Sequence, residues 1–397
     1  MSGRKALYVH DHVFIKDHEG NYYSEGKITD SVFERYEACC SELHVLSRCR
    51  YTPSTESYSR ITKKNVYFHP VKGLSFSKIF STNLISTTKK VLYLIKKTEL
   101  VIIRMPSFLG LFTYLTARAY GRPYFIELVG NPKEAIITST PKKHFGLVKL
   151  FATLMEKSTQ SAVLNAPGVI YVTRKNLQEK FPARGFTSSA SNVELTIEKP
   201  DLSYERYKLP KEAIRIGIIG SFKNNYKGID TAIASLAKLN EKKIKCHLLI
   251  LGAGNTVPYL DLANSLGVRS QVFFDGIRQG GKEVYSWLDT LDIYIQPSRT
   301  EGLPRSLIEA MSRGIPCVGS NVGGIPELLP ERWIISKDSP EELAEKISDL
   351  AISHTERYNS GCENFLTSTE YSKERLSQKR AQFWLEAHNH MEGLLKK

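Results

Sequence analysis

Short runs of β-branched and aromatic residues alternate with amphipathic stretches at about 20-residue intervals, and this rhythm limits the possible folds more than any other feature. The first runs are Ala6 to His10, His44 to Arg48, Leu100 to Arg104, Tyr124 to Val129 and Gly168 to Thr173. Helices are expected over Ser31 to Leu43, within Ser75 to Lys97, around Leu109 to Tyr120, through 142–160 and near Lys175 to Lys180. Strands joined through helices in this way build a doubly wound parallel sheet. From Ala183 to Leu209 the periodicity fades, which places a linker at roughly 195–212. A second series follows, with strands at Ile214 to Ser221, Lys245 to Gly254, Val272 to Gly276, Ile293 to Ile295 and Pro316 to Gly319. Its helices are expected over 229–239, from Pro304 towards Gly314, over Ser339 to Ile352 and over Ser372 to Met391. With 397 residues and 41% hydrophobic content, the chain is long enough for two such α/β domains.

Charge and cysteine usage narrow the functional classes. Residues 1–195 hold 28 Lys and Arg against 15 Asp and Glu, a net of +13, whereas residues 196–397 hold 27 against 26, a net of +1. An excess confined to one half points to an acidic surface or ligand: anionic lipid headgroups, a pyrophosphate-bearing acceptor or nucleic acid, with scattered solvated lysines as the plain alternative. No zinc-finger or RRM-type pattern accompanies the charge, so no nucleic acid partner is expected. The six cysteines (Cys39, Cys40, Cys49, Cys246, Cys317, Cys362) show no paired metal spacing, and Cys246 and Cys317 fall inside apolar strands. Reduced thiols in a cytoplasmic protein are the expectation. The start of the chain has no apolar core of signal-peptide length, and Leu100 to Tyr120 is broken by Arg104, Pro106 and Arg118. A membrane span is therefore not expected.

The stretch 290–327 concentrates the chemistry. The strand Ile293–Ile295 stops at Gln296, Pro297 and Ser298; a loop bearing Glu301 follows; Pro304 suits a helix start, and Leu307, Ile308 and Met311 supply its buried stripe. Glu309 then falls in the second helical turn, and Gly323-Gly324 gives backbone that a ligand can approach closely. In an open α/β sheet such a loop lies on the ligand rim, where helix-start amides attract an anion. Two acids beside an anion site make sense when the ligand also offers hydroxyls, as a nucleotide sugar does. The bland alternative is a surface loop with Arg305 and Glu309 paired at i, i+4.

Glu301-Gly302-Leu303-Pro304-Arg305-Ser306-Leu307-Ile308-Glu309, then Gly314-Ile315-Pro316 and Gly323-Gly324-Ile325-Pro326-Glu327, resembles the Glu-x7-Glu signature of retaining glycosyltransferases of family four, the group 1 transferases with a GT-B fold. The resemblance implies two Rossmann-like doubly wound parallel-sheet domains facing a cleft: 1–200 on the acceptor side, 212–375 for the nucleotide sugar, and a terminal helix, 376–397, crossing back onto the first domain. It implies that Glu301 meets donor-sugar hydroxyls, Glu309 the ribose, and loop amides around Gly302, Leu303 and Arg305 the diphosphate, Pro304 having none to give. Gly220-Ser221 through Lys227-Gly228 resembles the family's basic donor loop, with Lys227 neutralising the diphosphate and Lys223 a substitute for an absent Arg. Ile277 and Arg278 resemble base-facing residues, while Gly252 in Gly-Ala-Gly is a weak phosphate signal.

On the acceptor side the expected groups are His10, Asp11 and His12 after the first strand, and Arg104, Ser107, Glu127 and Asn131 near later strand ends. The last four loosely resemble RxPS and ExxGD patterns of polysaccharide-assembly members, with Asn131 where an acid is often seen; Glu127 is equally open to being a buried structural acid. His10 and His12 lack a third ligand, so they read as structural or substrate-facing. Residues 142–160 form a basic amphipathic segment that faces either the domain core or an anionic membrane surface.

The resemblance implies metal-independent transfer of a sugar from a nucleotide-diphosphate donor to a glycan or polyprenyl-diphosphate-linked acceptor of capsule or O-antigen type, with retained configuration and no cofactor. No Asp-x-Asp, the mark of the metal-dependent alternative, occurs. Lys227 and the amides would stabilise the leaving group and Glu301 would orient the sugar. A GT-B epimerase and a non-catalytic nucleotide-sugar or lipid-binding module are the competing readings. The expected place of work is the cytoplasm, with a peripheral position at the inner face of the plasma membrane as an option.

Overall fold

In the computed structural model, residues 4–25, 28–52, 55, 58–71, 83–139, 145–193, 195–208, 213–222 and 225–395 are described. The first sheet contains β1 (Lys5–Lys16), β2 (Tyr22–Ser24), β3 (Glu42–Tyr51), β4 (Ser59–Arg60), β5 (Val66–Val71), β6 (Leu100–Met105), β7 (Tyr124–Leu128), β8 (Gly168–Tyr171) and β9 (Phe186–Ser189). Seven of these run parallel in the order β5-β3-β1-β6-β7-β8-β9, and short β2 and β4 extend the end of β1 in antiparallel pairing. Every residue of β6 and β7 is buried, as expected of strands with helices on both faces.

The second sheet is wholly parallel: β10 (Ile214–Ile219), β11 (Cys246–Leu251), β12 (Val272–Phe274), β13 (Ile293–Gln296), β14 (Cys317–Ser320) and β15 (Ile334–Ile335), in the order β12-β11-β10-β13-β14-β15. In both sheets the winding reverses beside the first strand, between β1 and β6 and between β10 and β13. A crevice opens beyond the carboxyl ends of the strands at such a reversal, so each domain presents its natural ligand rim there. The linker packs on the second domain, where Tyr207 donates its hydroxyl to Gly314 O (2.8 Å) and Arg357 Nε donates to Tyr207 O (2.9 Å).

The long helix Lys373–Leu395 returns to the first domain. Arg4 donates to His388 O and to the Glu392 carboxylate, both at 3.1 Å, and Trp384, 1% exposed, meets the Tyr36 ring edge-on at 5.1 Å. Among the described residues no helix is long and apolar enough to cross a membrane.

Several elements differ from expectation. The helix expected over Ser31 to Leu43 spans only Asp30–Glu34; beyond it, single turns bury Tyr36, Cys39 and Cys40, and Leu43 is drawn into β3 by pairing with Val66. β1 runs on to Lys16 through an irregularity between Val9 and Val13, so His10 to His12 lie in the bulged part of the strand. β9 lies within the stretch read as irregular, because an edge strand reading Phe-Thr-Ser-Ser carries little apolar alternation. The helix His354–Thr369 was not anticipated; its buried face includes Ser360, Gly361, Asn364 and Ser368, which give no apolar periodicity. The basic segments are helical over Leu84–Lys97 and Phe145–Asn165, with 75–82 and 142–144 outside the described residues.

Candidate active site

β13 is buried along its length, and burial forces its polar exit to satisfy itself internally. Tyr294 donates its hydroxyl to Gln296 Oε1 (2.9 Å), which also accepts from Ser306 Oγ (3.1 Å). Gln296 Nε2 donates to Ser298 Oγ (2.7 Å) and to Glu301 Oε1 (3.1 Å), and Ser298 Oγ donates to the same carboxylate oxygen (2.8 Å). Lys227 Nζ completes the set at 2.6 Å from Glu301 Oε1, with the two side chains 12% and 10% exposed. One carboxylate oxygen therefore carries three donors, while Oε2 receives none among the described residues. Such a carboxylate is fixed in orientation and still has an acceptor to offer.

The backbone holds both partners. Lys227 ends a turn, Asn225–Lys227, and Gly228 follows at φ +69°, where a Cβ would stand 1.9 Å from Pro297 O. Only glycine allows the turn to pass so close to the β13 exit. Arg299, next to the site, pairs bidentately with Asp230 (2.9 Å to each oxygen) and with Asp338 (2.6 Å), bolting the loop to neighbouring elements. Sequence reasoning missed Gln296, Ser298 and Arg299 as working parts; a glutamine ending an otherwise apolar strand was the available signal.

Of the other residues expected on the donor side, Ser221, Gly252, Ile277 and Arg278 follow the carboxyl ends of β10, β11 and β12. Ser221 is half-buried at the β10 exit, Gly252 at the β11 exit donates to Gly276 O (2.7 Å), and Lys223 lies outside the described residues. Gly302 and Leu303 precede the helix Arg305–Ser312, whose first-turn N–H groups have no carbonyl four residues back within the helix. Arg305 is exposed at that start. Glu309 is half-buried one turn later and receives no hydrogen-bond donor on its carboxylate among the described residues. Burial pushes its pKa up and the Arg305 charge only partly opposes this. Ile277 is 75% exposed, and Arg278 stands at the edge of a cavity of about 970 Å³ with Phe273 and Trp287 in its wall.

On the facing domain, Asp11 accepts from the N–H groups of Phe108 (2.5 Å) and Leu109 (3.2 Å) at the start of the helix Phe108–Ala119, whose cap Ser107 accepts from Gly110 N–H (2.9 Å). Burial raises the Asp11 pKa against these donors. His12 Nε2 is 3.0 Å from Ser24 Oγ, and His10 Nδ1 accepts from His12 N–H (3.1 Å). Arg104 and Glu127 face each other across β6 and β7 at 2.8 Å, both buried, with Tyr36 donating to Glu127 (2.8 Å). Burial alone would raise the Glu127 pKa, but Arg104 and the neighbouring donors outweigh it and hold it low. Both Glu127 carboxylate oxygens thus have protein partners. Asn131 donates to Glu134 (3.1 Å) and Glu156 (3.3 Å).

The loop bearing Glu301 touches the first domain directly. A Cβ on Gly302 would stand 2.7 Å from Val129 O, and Thr300 Oγ1 donates to Glu134 Oε2 (3.2 Å). The Glu301–Lys227 pair thus sits beside the seam between the two domains, at the winding reversal of the second sheet.

Comparison with known proteins adds four matches. A family profile described as "Glycosyl transferases group 1" matches residues 213–352. Protein CapJ of Staphylococcus aureus is 30% identical over 385 residues, spanning 95% of this chain and 94% of that protein; the putative colanic acid biosynthesis glycosyltransferase WcaL of Escherichia coli is 31% identical over 132 residues, 31% of this chain and 32% of its own. Anabaena HepE, solved with UDP and glucose, has the same fold with a TM-score of 0.63 at 16% identity, covering 96% of this chain and 98% of that one.

Proposed function

The chain belongs to the group 1 glycosyl transferases and has their GT-B fold, and from that premise we propose that it moves a sugar from a nucleotide diphosphate to a glycan or lipid-linked glycan in cell-surface polysaccharide assembly. The observation that carries this reading is the Glu301–Lys227 pair at 2.6 Å, with no donor on Glu301 Oε2 among the described residues, at the winding reversal. The open oxygen suits a donor-sugar hydroxyl. Lys227 suits the diphosphate, which competes with Glu301 for the ammonium, and the amides of Gly302, Leu303 and Arg305 add fixed dipoles for the same charge. Glu309, whose carboxylate receives no donor among the described residues, suits the ribose hydroxyls. Ser221, Gly252, Ile277 and Arg278 complete the donor rim, and Asp11, His12 and Asn131 are acceptor-side candidates on the first domain.

The bond between the anomeric carbon and the diphosphate oxygen breaks, leaving a cationic sugar; the acceptor hydroxyl attacks the face the diphosphate has left and gives its proton to the departing diphosphate oxygen, which retains configuration. This chain's residues contribute leaving-group stabilisation and positioning, without a metal or cofactor. The UDP and glucose in HepE make a uridine diphosphate hexose the first donor to try, and the name of WcaL supports polysaccharide assembly. A membrane-linked acceptor is supported by Leu147, Leu150 and Leu154, 82%, 61% and 55% exposed at i, i+3 and i+7 on the helix Phe145–Asn165 of the basic domain.

The test is a panel of nucleotide sugars scored for thermal stabilisation and for transfer or slow hydrolysis by the full chain. One donor should raise Tm and be consumed, with both effects reduced in Lys227→Ala. Binding with no turnover would favour the non-catalytic module, and conversion of donor without acceptor an epimerase.

A further inference from the structure

Glu327 belongs to the second domain, yet among the described residues every hydrogen bond of its carboxylate goes to the first. Oε2 accepts from Arg174 N–H (2.6 Å), and Oε1 accepts from Lys175 N–H (3.0 Å) and Asn176 N–H (2.7 Å). These are consecutive amides at the entry to the helix Asn176–Lys180, groups with no acceptor inside that helix. Charge-assisted bonds of this kind are about twice as strong as neutral ones. Arg174 also directs its guanidinium towards Glu327 O (3.5 Å).

The neighbours of Glu327 in the chain give this contact its reach. Gly323, at φ +55°, lies so close to Glu301 that a Cβ would stand 2.0 Å from Glu301 O, and Gly324 N–H donates to Gly302 O (2.7 Å). The turn Ile325–Glu327 follows at once, pinned by Ile325, which is completely buried. A segment of five residues therefore grips the backbone of the donor loop at one end and the opposite domain at the other. We propose that Glu327 is a positioning residue: by latching the domains shut it sets the alignment of Glu301, so that the transfer geometry exists only in the closed molecule. The latch itself is independent of the chemistry, whereas its effect on turnover rests on the transferase reading.

Glu327→Gln tests this, because an amide keeps one acceptor oxygen and turns an NH2 towards amide donors. Glu327→Asp keeps the charge on a shorter arm. The distance between spin labels on the two domains, donor affinity by calorimetry with a uridine diphosphate hexose, and kcat and KM are measured on the full chain. The expected result for Glu327→Gln is a longer or broader interdomain distance, donor affinity within about twofold and kcat lower by about tenfold, with Glu327→Asp recovering part of both changes. An unchanged interdomain distance in Glu327→Gln overturns the latch, as does a kcat loss matched by an equal loss of donor affinity or not relieved by Asp. If the wild type transfers no sugar while Glu327→Gln still opens the molecule, the latch stands and the transferase reading falls.

Discussion

Glu301 and Lys227 illustrate how one largely covered contact bears on both the fold and the proposed chemistry. In the free protein each neutralises the other, so removing one side leaves the remaining charge without its partner. Glu301→Ala and Lys227→Ala should each lower turnover by at least about tenfold, a barrier rise of roughly 1.4 kcal/mol. Near-wild-type transfer by either variant removes that residue from the mechanism. Glu309 makes a separate prediction through pH. Its carboxyl is held above the ordinary 4.5 by burial, so the folded state keeps the proton more readily than the unfolded chain. The favourable contribution is full below the ordinary value and is lost as pH rises through the raised one. Glu309→Gln should therefore show a higher Tm than wild type near neutral pH and a gap that closes towards about pH 4, while its donor affinity falls. A Tm gap that does not change with pH would contradict this account.

At the level of elements, the site depends on turns that few residues tolerate. Gly228 combines φ +69° with close approach to Pro297 O, so Gly228→Ala brings both strain and a clash, costing roughly 1–2 kcal/mol or more. Because Lys227 precedes it, turnover of Gly228→Ala at a temperature well below its Tm should still be depressed. Restored kcat in the folded variant would mean that the turn does not place the lysine. β13 and the helix after it were legible because burial, a proline start and a glycine stop are all local signals. The internal ladder of Tyr294, Gln296, Ser298 and Ser306 was not, since a hydroxyl or amide in the sequence does not announce its partner. The same limit explains β1, whose bulge at His10 to His12 depends on pairing with β3 and leaves no mark in the strand's own alternation.

For the whole molecule, the terminal helix and the Glu327 contacts hold two separately wound sheets around one seam. The basic excess of residues 1–195 and the exposed leucines at 147, 150 and 154 lie on the same domain. If that face meets an anionic bilayer, Leu147→Asp with Leu150→Asp should abolish cosedimentation with phosphatidylglycerol-containing vesicles and leave Tm and donor hydrolysis unchanged. Wild-type binding should weaken with salt, as screening of the lysines requires. Vesicle binding that survives both substitutions would place the contact elsewhere or show it to be non-specific.

By itself the sequence determined what is written in neighbouring residues: the strand and helix rhythm, the two domain series, and the loop with Glu301 that leads into the helix bearing Glu309. Periodicity reports which face of an element is buried, and turn residues report where it stops; both act over a few residues. Tertiary structure alone decided that Lys227, 74 residues from Glu301 in sequence, supplies its cation, that Arg104 and Glu127 bind each other, and that Glu327 reaches across the seam. Those pairings follow from sheet order and register, which place chain segments side by side only after the whole fold has closed.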